Sequence, residues 1–143
     1  MTIRQLTGAV AIIFIGFFVA EAPAAEPSLK EIMQDLRNNL VAITDGLLLD
    51  DLERVAQGAT GIAQHAPIAE AQVKRIADAL GPEMPAFKQF DNEVHTLSVA
   101  IASAAGKNER ASIISEYQRM VSACLACHTA FKARVAETLG QDP

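Results

Sequence analysis

The sequence predicts an all-α protein whose main elements form an antiparallel four-helix bundle. Apolar residues recur at three- and four-residue intervals along four long stretches, which is the pattern of helices with one buried face. No stretch alternates apolar and polar residues in the manner of a half-buried strand, and no internal repeat is present. Several helices of this kind bury their apolar faces by packing around a common core.

Residues 1–25 have the composition of a cleaved signal peptide. Arg4 precedes an uncharged run of fifteen residues, and small residues follow as far as Ala25. The run is shorter than the roughly 20 residues that a membrane-spanning helix needs. We therefore predict export to the periplasm, cleavage after Ala24 or Ala25, and no stable membrane insertion afterwards. An uncleaved N-terminal anchor is the alternative.

Residues 26–143 form the single predicted domain. They number 118, with 11 Lys and Arg against 16 Asp and Glu, so the net charge stays at -5. This acidity argues against nucleic acid as a partner, because phosphate binding needs a basic surface. It is compatible with docking on a basic patch of another protein.

Two long helices are predicted in the first part of this domain. The first begins after Ser28, which has capping-box spacing to Glu31, and ends at Asp45-Gly46. The second begins at Asp50 and ends near His65. The apolar positions of the first helix are Leu29, Ile32, Met33, Leu36, Leu40 and Ile43.

A short helix and two long ones are predicted in the remainder. Proline and glycine interrupt the pattern between residues 66 and 85, where a short helix that includes Ile76 fits. The third long helix runs from about Pro85 to Ala105. The last one has Asn108 as its N-cap and ends at Gly140.

The last helix carries the sequence Cys-x-x-Cys-His at Cys124, Cys127 and His128. At this spacing the three side chains reach toward one face of a helix. The motif is the attachment signature of c-type haem, in which the thiols form thioethers to the vinyl groups and the imidazole binds the iron. We predict one covalent haem c, which would also add bulk to a core with few aromatic rings.

The motif has three other interpretations. A zinc site usually has four nitrogen or sulfur ligands, and outside the motif only His65 and His95 remain as histidine or cysteine. A thioredoxin-type dithiol is expected in a βαβ setting. A structural disulfide in a helical module without haem suits an exported protein, but it leaves His128 without a role.

The chain resembles the class II c-type cytochromes, the family of cytochrome c′ and its low-spin relatives. The motif lies near the C-terminal end and no methionine follows His128, and the resemblance covers about Leu29 to Val135. It implies a four-helix bundle in which Cys124 and Cys127 form the thioethers and His128 is the proximal iron ligand.

Two further segments carry the resemblance. Phe131 and Lys132 resemble the Phe-Arg or Phe-Lys pair that commonly follows the histidine, which implies packing on the haem by the ring and a haem-side contact by the lysine. The segment around Met33 resembles the distal side of the haem pocket, which implies that Met33 is the second metal ligand. One turn earlier, where the family often has an arginine near a haem propionate, this chain has Leu29 followed by Lys30.

Met33 has two competing interpretations. It could be a buried methionine that fills the core, since methionine often does so. A shift of one residue in the resemblance would place Ile32 or Gln34 at the distal position. Because Met33 shares a helix face with Leu36, we expect it to face the bundle interior, where a thioether ligand would raise the reduction potential.

The resemblance implies a soluble periplasmic electron carrier with His128 and Met33 as iron ligands. It implies periplasmic redox proteins as partners. The sequence contains no nucleophile elbow, phosphate loop or clustered carboxylate pair, so no enzymatic activity is expected. The alternative is a five-coordinate haem protein that binds nitric oxide or carbon monoxide. A homodimer that uses Leu47, Leu48 and Leu49 is also compatible with the sequence.

Other candidate ligands are assigned structural roles. Met120 is expected in the core, and Met84 at the entry to a helix. His95 is expected to pair with Asp91, four residues before it, and His65 to sit at a helix end, where the dipole favours it.

Overall fold

The computed structural model describes residues 26–140, which are helical apart from short connections. No strand occurs among these residues, so the prediction of an all-α fold is confirmed. In the same range, no helix combines the length and the apolar character needed to span a membrane. The predicted signal peptide lies outside the described residues. The helices are α1 (Leu29–Leu49), α2 (Leu52–Ala63), α3 (Glu70–Leu80), α4 (Met84–Gly106) and α5 (Arg110–Leu139), with a 3₁₀ turn at Gly81–Glu83.

The bundle consists of α1, α2, α4 and α5, while the short α3 packs against α5. Each of the four packs along the next one in the chain, α1 on α2, α2 on α4, and α4 on α5. Very short connections reverse the chain between α1 and α2 and between α4 and α5. The His95 imidazole of α4 lies near the Ala63 carbonyl oxygen of α2, and the Asp91 carboxylate lies near His65. Residue numbers thus rise along α2 as they fall along α4, so these two helices are antiparallel as well. The predicted short helix is likewise present, as α3.

The start of α1 was predicted correctly, but its end was not. Ser28 and Glu31 form the capping box, with the Glu31 amide donating to the Ser28 hydroxyl over 3.3 Å. The helix does not stop at Asp45-Gly46. Gly46 is buried, and a Cβ there would lie 2.8 Å from a Val55 methyl group. This glycine lets α2 approach closely, and α1 continues to Leu49.

Two predicted N-caps are displaced by one residue. Asp50 is the C-cap of α1, with a φ of 58°, and Asp51 caps α2 by accepting a 3.0 Å hydrogen bond from the Arg54 amide. Asn108 does not cap α5. It has a φ of 60°, a left-handed conformation that asparagine tolerates, and so forms part of the tight connection that precedes Glu109, the residue at the N-cap position.

Buried side chains form two clusters along the bundle. The central cluster joins all four bundle helices, and the end cluster joins α1, α3 and α5. The largest members of the central cluster are Ile43, Val55, Ile62, Leu97, Ile101, Ile113 and Met120. The end cluster consists of Leu29, Ile76, Leu80, Phe131, Val135 and Leu139.

Candidate functional site

The Cys-x-x-Cys-His motif lies within the uninterrupted helix α5. Cys124 packs against the central cluster and Cys127 against the end cluster, so the thiols sit where the two clusters meet. Both are half-buried free thiols, whereas His128 is exposed. The motif thus presents its sulfur atoms to the interior and its imidazole to a more open side of the helix.

Both thiols are held in the neutral form. Burial raises the pKa of Cys124. Burial, together with the nearby charges of Cys124 and Asp91, raises the pKa of Cys127 to about 11. A redox-active dithiol needs at least one cysteine with a lowered pKa. The environment therefore does not favour thioredoxin-type chemistry, and it does not favour thiolate ligation of zinc.

The helices α1 and α5 are held together differently from the other neighbouring pairs. Their backbones come close at far fewer positions than the backbones of successive bundle helices do. Side chains bridge them instead. The hydroxyl groups of Thr44 and Tyr117 lie 2.7 Å apart, and Arg110 forms a 2.7 Å ion pair with Asp50. We call the boundary between these two helices the α1–α5 seam.

The Thr44–Tyr117 hydrogen bond fixes the register across this seam. Met33 precedes Thr44 by eleven residues and His128 follows Tyr117 by eleven residues. Eleven residues are about three turns, or roughly 16 Å of helix, so each side chain returns to the side of its helix that faces the seam. Because α1 and α5 run antiparallel, Met33 and His128 lie at the same level on opposite sides of the seam.

Two other contacts agree with this register. The Asp50–Arg110 pair lies beyond Thr44 on α1 and before Tyr117 on α5. In the other direction, Leu29 belongs to the same buried cluster as Phe131. Residue numbers therefore fall along α1 as they rise along α5, over the whole length of the seam.

Met33 lies at the edge of the interior face of α1, so the alternative interpretation as a buried methionine that fills the core is wrong. Its side chain is 38% exposed, whereas the neighbouring Ile32 is buried. Thr44, about three turns further along α1, contacts Tyr117 of α5, so helix periodicity places Met33 on the side of α1 that faces α5. On the other side of the seam, Leu125 is also exposed, at 61%. The seam is thus flanked by solvent-accessible apolar side chains.

Phe131 and Lys132 point in different directions. Phe131 is buried and makes edge-to-face contacts with Phe87 and Phe90 of α4, with ring centroids 5.7 and 6.2 Å apart. The Arg134 guanidinium lies 5.5 Å from its centroid. Lys132 is exposed and follows His128 by one turn. Phe131 therefore fixes α5 against α4, and Lys132 stands beside the seam.

The remaining methionines occupy the structural positions predicted for them. Met120 is fully buried and accepts a 3.2 Å hydrogen bond from the Ser98 hydroxyl. Met84 begins α4 and packs against the end cluster.

The prediction for the other histidines was partly wrong. His65, and not His95, approaches Asp91, with 3.7 Å between Nε2 and the carboxylate. His95 faces the C-terminal end of α2, where its Nδ1 lies 3.1 Å from the Ala63 carbonyl oxygen. The four-residue spacing of Asp91 and His95 on α4 therefore predicted the wrong pair, because the packing of α2 on α4 brings His65, and not His95, to Asp91.

Two open grooves lie on the outer face of α4 and α5, and the sequence did not predict them. One is lined by Glu93, Glu116 and Arg119 among others, and the second by Phe90 and Ala126 among others. Neither is lined by Met33, by His128 or by a cysteine. They are shallow and partly polar, and they do not form part of the candidate site.

The residues at the seam fit a c-type haem. They comprise the residue types that a c-type haem requires: two half-buried thiols, an exposed imidazole one residue further along, and a thioether at the same level on α1. Across residues 26–140, no group of three or more His, Cys, Asp and Glu side chains is arranged to hold a metal ion.

Sequence reasoning missed the Thr44–Tyr117 pair, which aligns the two helices. The equal spacing of eleven residues on each helix was visible, but which residues meet across the seam was not. Comparison of the chain with protein-family models, with curated proteins and with solved structures found no match.

Proposed function

We propose that the protein is an exported electron-transfer cytochrome of the c type. In this proposal Cys124 and Cys127 would form thioethers to one haem c, and His128 and Met33 would be the ligands of its iron. The proposal rests on the Cys-x-x-Cys-His motif, with the register across the α1–α5 seam as its main structural support. The resemblance to class II c-type cytochromes and the signal-like residues 1–25 add a periplasmic location.

Each residue in this proposal has a defined task. The haem, when bound, supplies reversible one-electron exchange between ferric and ferrous iron. The two cysteines anchor the group to α5, because a thioether forms when a neutral thiol adds across a vinyl double bond. Phe131 holds that part of α5 against α4, and the Thr44–Tyr117 bond keeps the two ligand-bearing helices aligned. No residue is assigned a catalytic role.

A second candidate function is the binding of a small gas at a five-coordinate iron. The observation that favours it is the exposure of Met33, together with the lack of extended backbone contact between α1 and α5. Both would give Met33 room to move away from the iron.

The homodimer remains a separate prediction. Leu48 and Leu49 are exposed, whereas Leu47 packs on the core.

The first test is whether haem is attached. The full chain, exported from a host that attaches haem c, should keep a haem-stained band after denaturing electrophoresis. A Cys124→Ser and Cys127→Ser variant should lose it. A colourless wild-type protein with intact thiols would remove the basis of both candidate functions.

The second test separates the two candidates through Met33. Wild-type holoprotein should have a low-spin spectrum with a weak sulfur-to-iron charge-transfer band at long wavelength. Met33→Ala should keep covalent haem but become high spin and bind carbon monoxide in the ferrous form. Met84→Leu, which changes a methionine on α4 and not on α1 or α5, should leave the spectrum as in wild type. A wild-type protein that is already high spin favours the gas binder.

A further inference from the structure

The described part of the chain carries six Lys and Arg side chains that have no carboxylate within ion-pair distance and no hydrogen bond to another group. These residues are Lys30, Arg37, Lys74, Lys88, Lys107 and Lys132. Three of them, Lys30, Arg37 and Lys132, are exposed and lie beside the α1–α5 seam. We call these three the cationic rim.

Helix geometry places the rim around the two proposed ligands. Lys30 is three residues before Met33 and Arg37 is four residues after it, so both lie one turn away on the same side of α1. Lys132 is four residues after His128 on α5. All three cations therefore lie within one helical turn of the level at which Met33 and His128 face each other.

Carboxylates are absent from the same flanks. Between Glu116 and Glu137, α5 contains no Asp or Glu. On α1, Glu31 and Asp35 each lie two residues from Met33 and are therefore about half a turn around the helix from it. The seam is therefore locally basic in a chain whose net charge is -5.

From this arrangement we propose that the cationic rim is the docking surface for an acidic electron-transfer partner. The inference rests on the proposed function, because it places the partner at the exposed side of the same haem site. Charges within about 10 Å of a contact dominate over distant ones at 0.1 M salt, so the rim outweighs the negative total charge. The expectation from composition, docking on a basic patch of another protein, is thereby reversed for this face.

The sign of a salt effect tests the proposal. Ferrous holoprotein gives one electron to ferricyanide, a small trianion, and the rate can be followed by stopped flow at increasing ionic strength. If the rim governs the approach, the anion is attracted and the rate falls as salt increases. If the net charge governs it, the anion is repelled and the rate rises. A flat or rising rate overturns the proposal.

A matched pair of triple variants locates the effect. The rim variant combines Lys30→Gln, Arg37→Gln and Lys132→Gln. The control combines Lys74→Gln, Lys88→Gln and Lys107→Gln, which changes the net charge by the same amount at exposed positions outside α1 and α5. At low salt we expect ferricyanide oxidation to slow on the order of tenfold in the rim variant, while the control keeps the wild-type dependence. Equal slowing in both variants overturns the proposal.

The haem propionates are the competing partners for these cations. If the rim served only them, the rim variant would change the reduction potential but leave the salt dependence of the ferricyanide reaction as in wild type, and that result also overturns the proposal. Failure of the proposed function is distinguishable, because it appears as missing haem or a high-spin spectrum before any rate is measured.

Discussion

At the scale of single residues, Cys127 shows how the fold controls reactivity. Its thiol has a pKa of about 11, raised from 9.0 mainly by burial and further by Cys124 and Asp91. Since the thiolate is the reactive form, the folded chain without haem should protect this cysteine at neutral pH. The protection is lost as the pH rises toward 11.

This protection can be measured with iodoacetamide. At pH 8, a thiol of pKa about 11 has roughly a hundredfold less thiolate than one of pKa 9.0, so Cys127 should alkylate much more slowly in the folded than in the denatured chain. Peptide mapping by mass spectrometry reports each cysteine separately. Asp91→Asn should speed alkylation of Cys127, and Glu93→Gln, an equal charge change on α4, should not. Equal rates in folded and denatured chains would contradict the assignment.

Individual residues also show what spacing alone could and could not predict. The Cys-x-x-Cys-His motif can be recognised from sequence because its three residues lie within about one turn of a single helix. Met33 was selected because it shares a helix face with Leu36, and its role as a ligand stays a prediction. The partner of Asp91 could not be predicted from sequence. Both His65 and His95 could reach its carboxylate, and only the packing of α2 on α4 selects between them.

At the scale of helices, glycine lets α1 and α2 come close together. A Cβ on Gly58 would lie 2.7 Å from the Asn39 carbonyl oxygen and 2.9 Å from an Ile43 side-chain carbon. The same property explains the error at Gly46. Glycine signals both helix ends and close helix crossings, and a single sequence does not distinguish the two.

We expect Gly58→Ala to destabilise the protein although alanine favours helix. The intrinsic gain of up to about 1 kcal/mol is opposed by a clash with the backbone of α1, and overpacking of this kind costs about 1–3 kcal/mol. Gly106→Ala is the control, because open space surrounds that position at the end of α4. Urea unfolding followed by circular dichroism should show a lower midpoint for Gly58→Ala and an unchanged or higher one for Gly106→Ala. The opposite order would exclude close packing as the role of Gly58.

At the scale of the whole molecule, the alignment of α1 with α5 depends on few polar contacts. Thr44 donates its single hydroxyl proton to the Leu40 carbonyl oxygen over 2.9 Å, so Tyr117 is the donor in the bond across the seam. The sequence predicted which helices form the bundle, but it could not supply this pairing, because it arises only when distant segments meet.

Tyr117→Phe should therefore have a small effect on stability and a larger one on the site. Loss of one half-buried hydrogen bond costs about 1 kcal/mol, measurable by urea unfolding. If Met33 binds the iron as proposed, looser alignment should weaken that bond and increase the high-spin fraction of the holoprotein. Arg119→Gln, which removes an exposed pair on the far side of α5, is the control and should leave the spin state unchanged. An unchanged spin state in Tyr117→Phe would show that the register does not depend on this bond.

The absence of extended backbone contact between α1 and α5 also bears on the order of assembly. Each other pair of neighbouring bundle helices is adjacent in the chain or separated only by the short α3, so those interfaces form by closing small loops. Only the meeting of α1 with α5 requires the first and last helices to find each other. Most of the bundle can consequently form while the side between α1 and α5 is still open, and in the proposed cytochrome the haem would enter from that side during maturation.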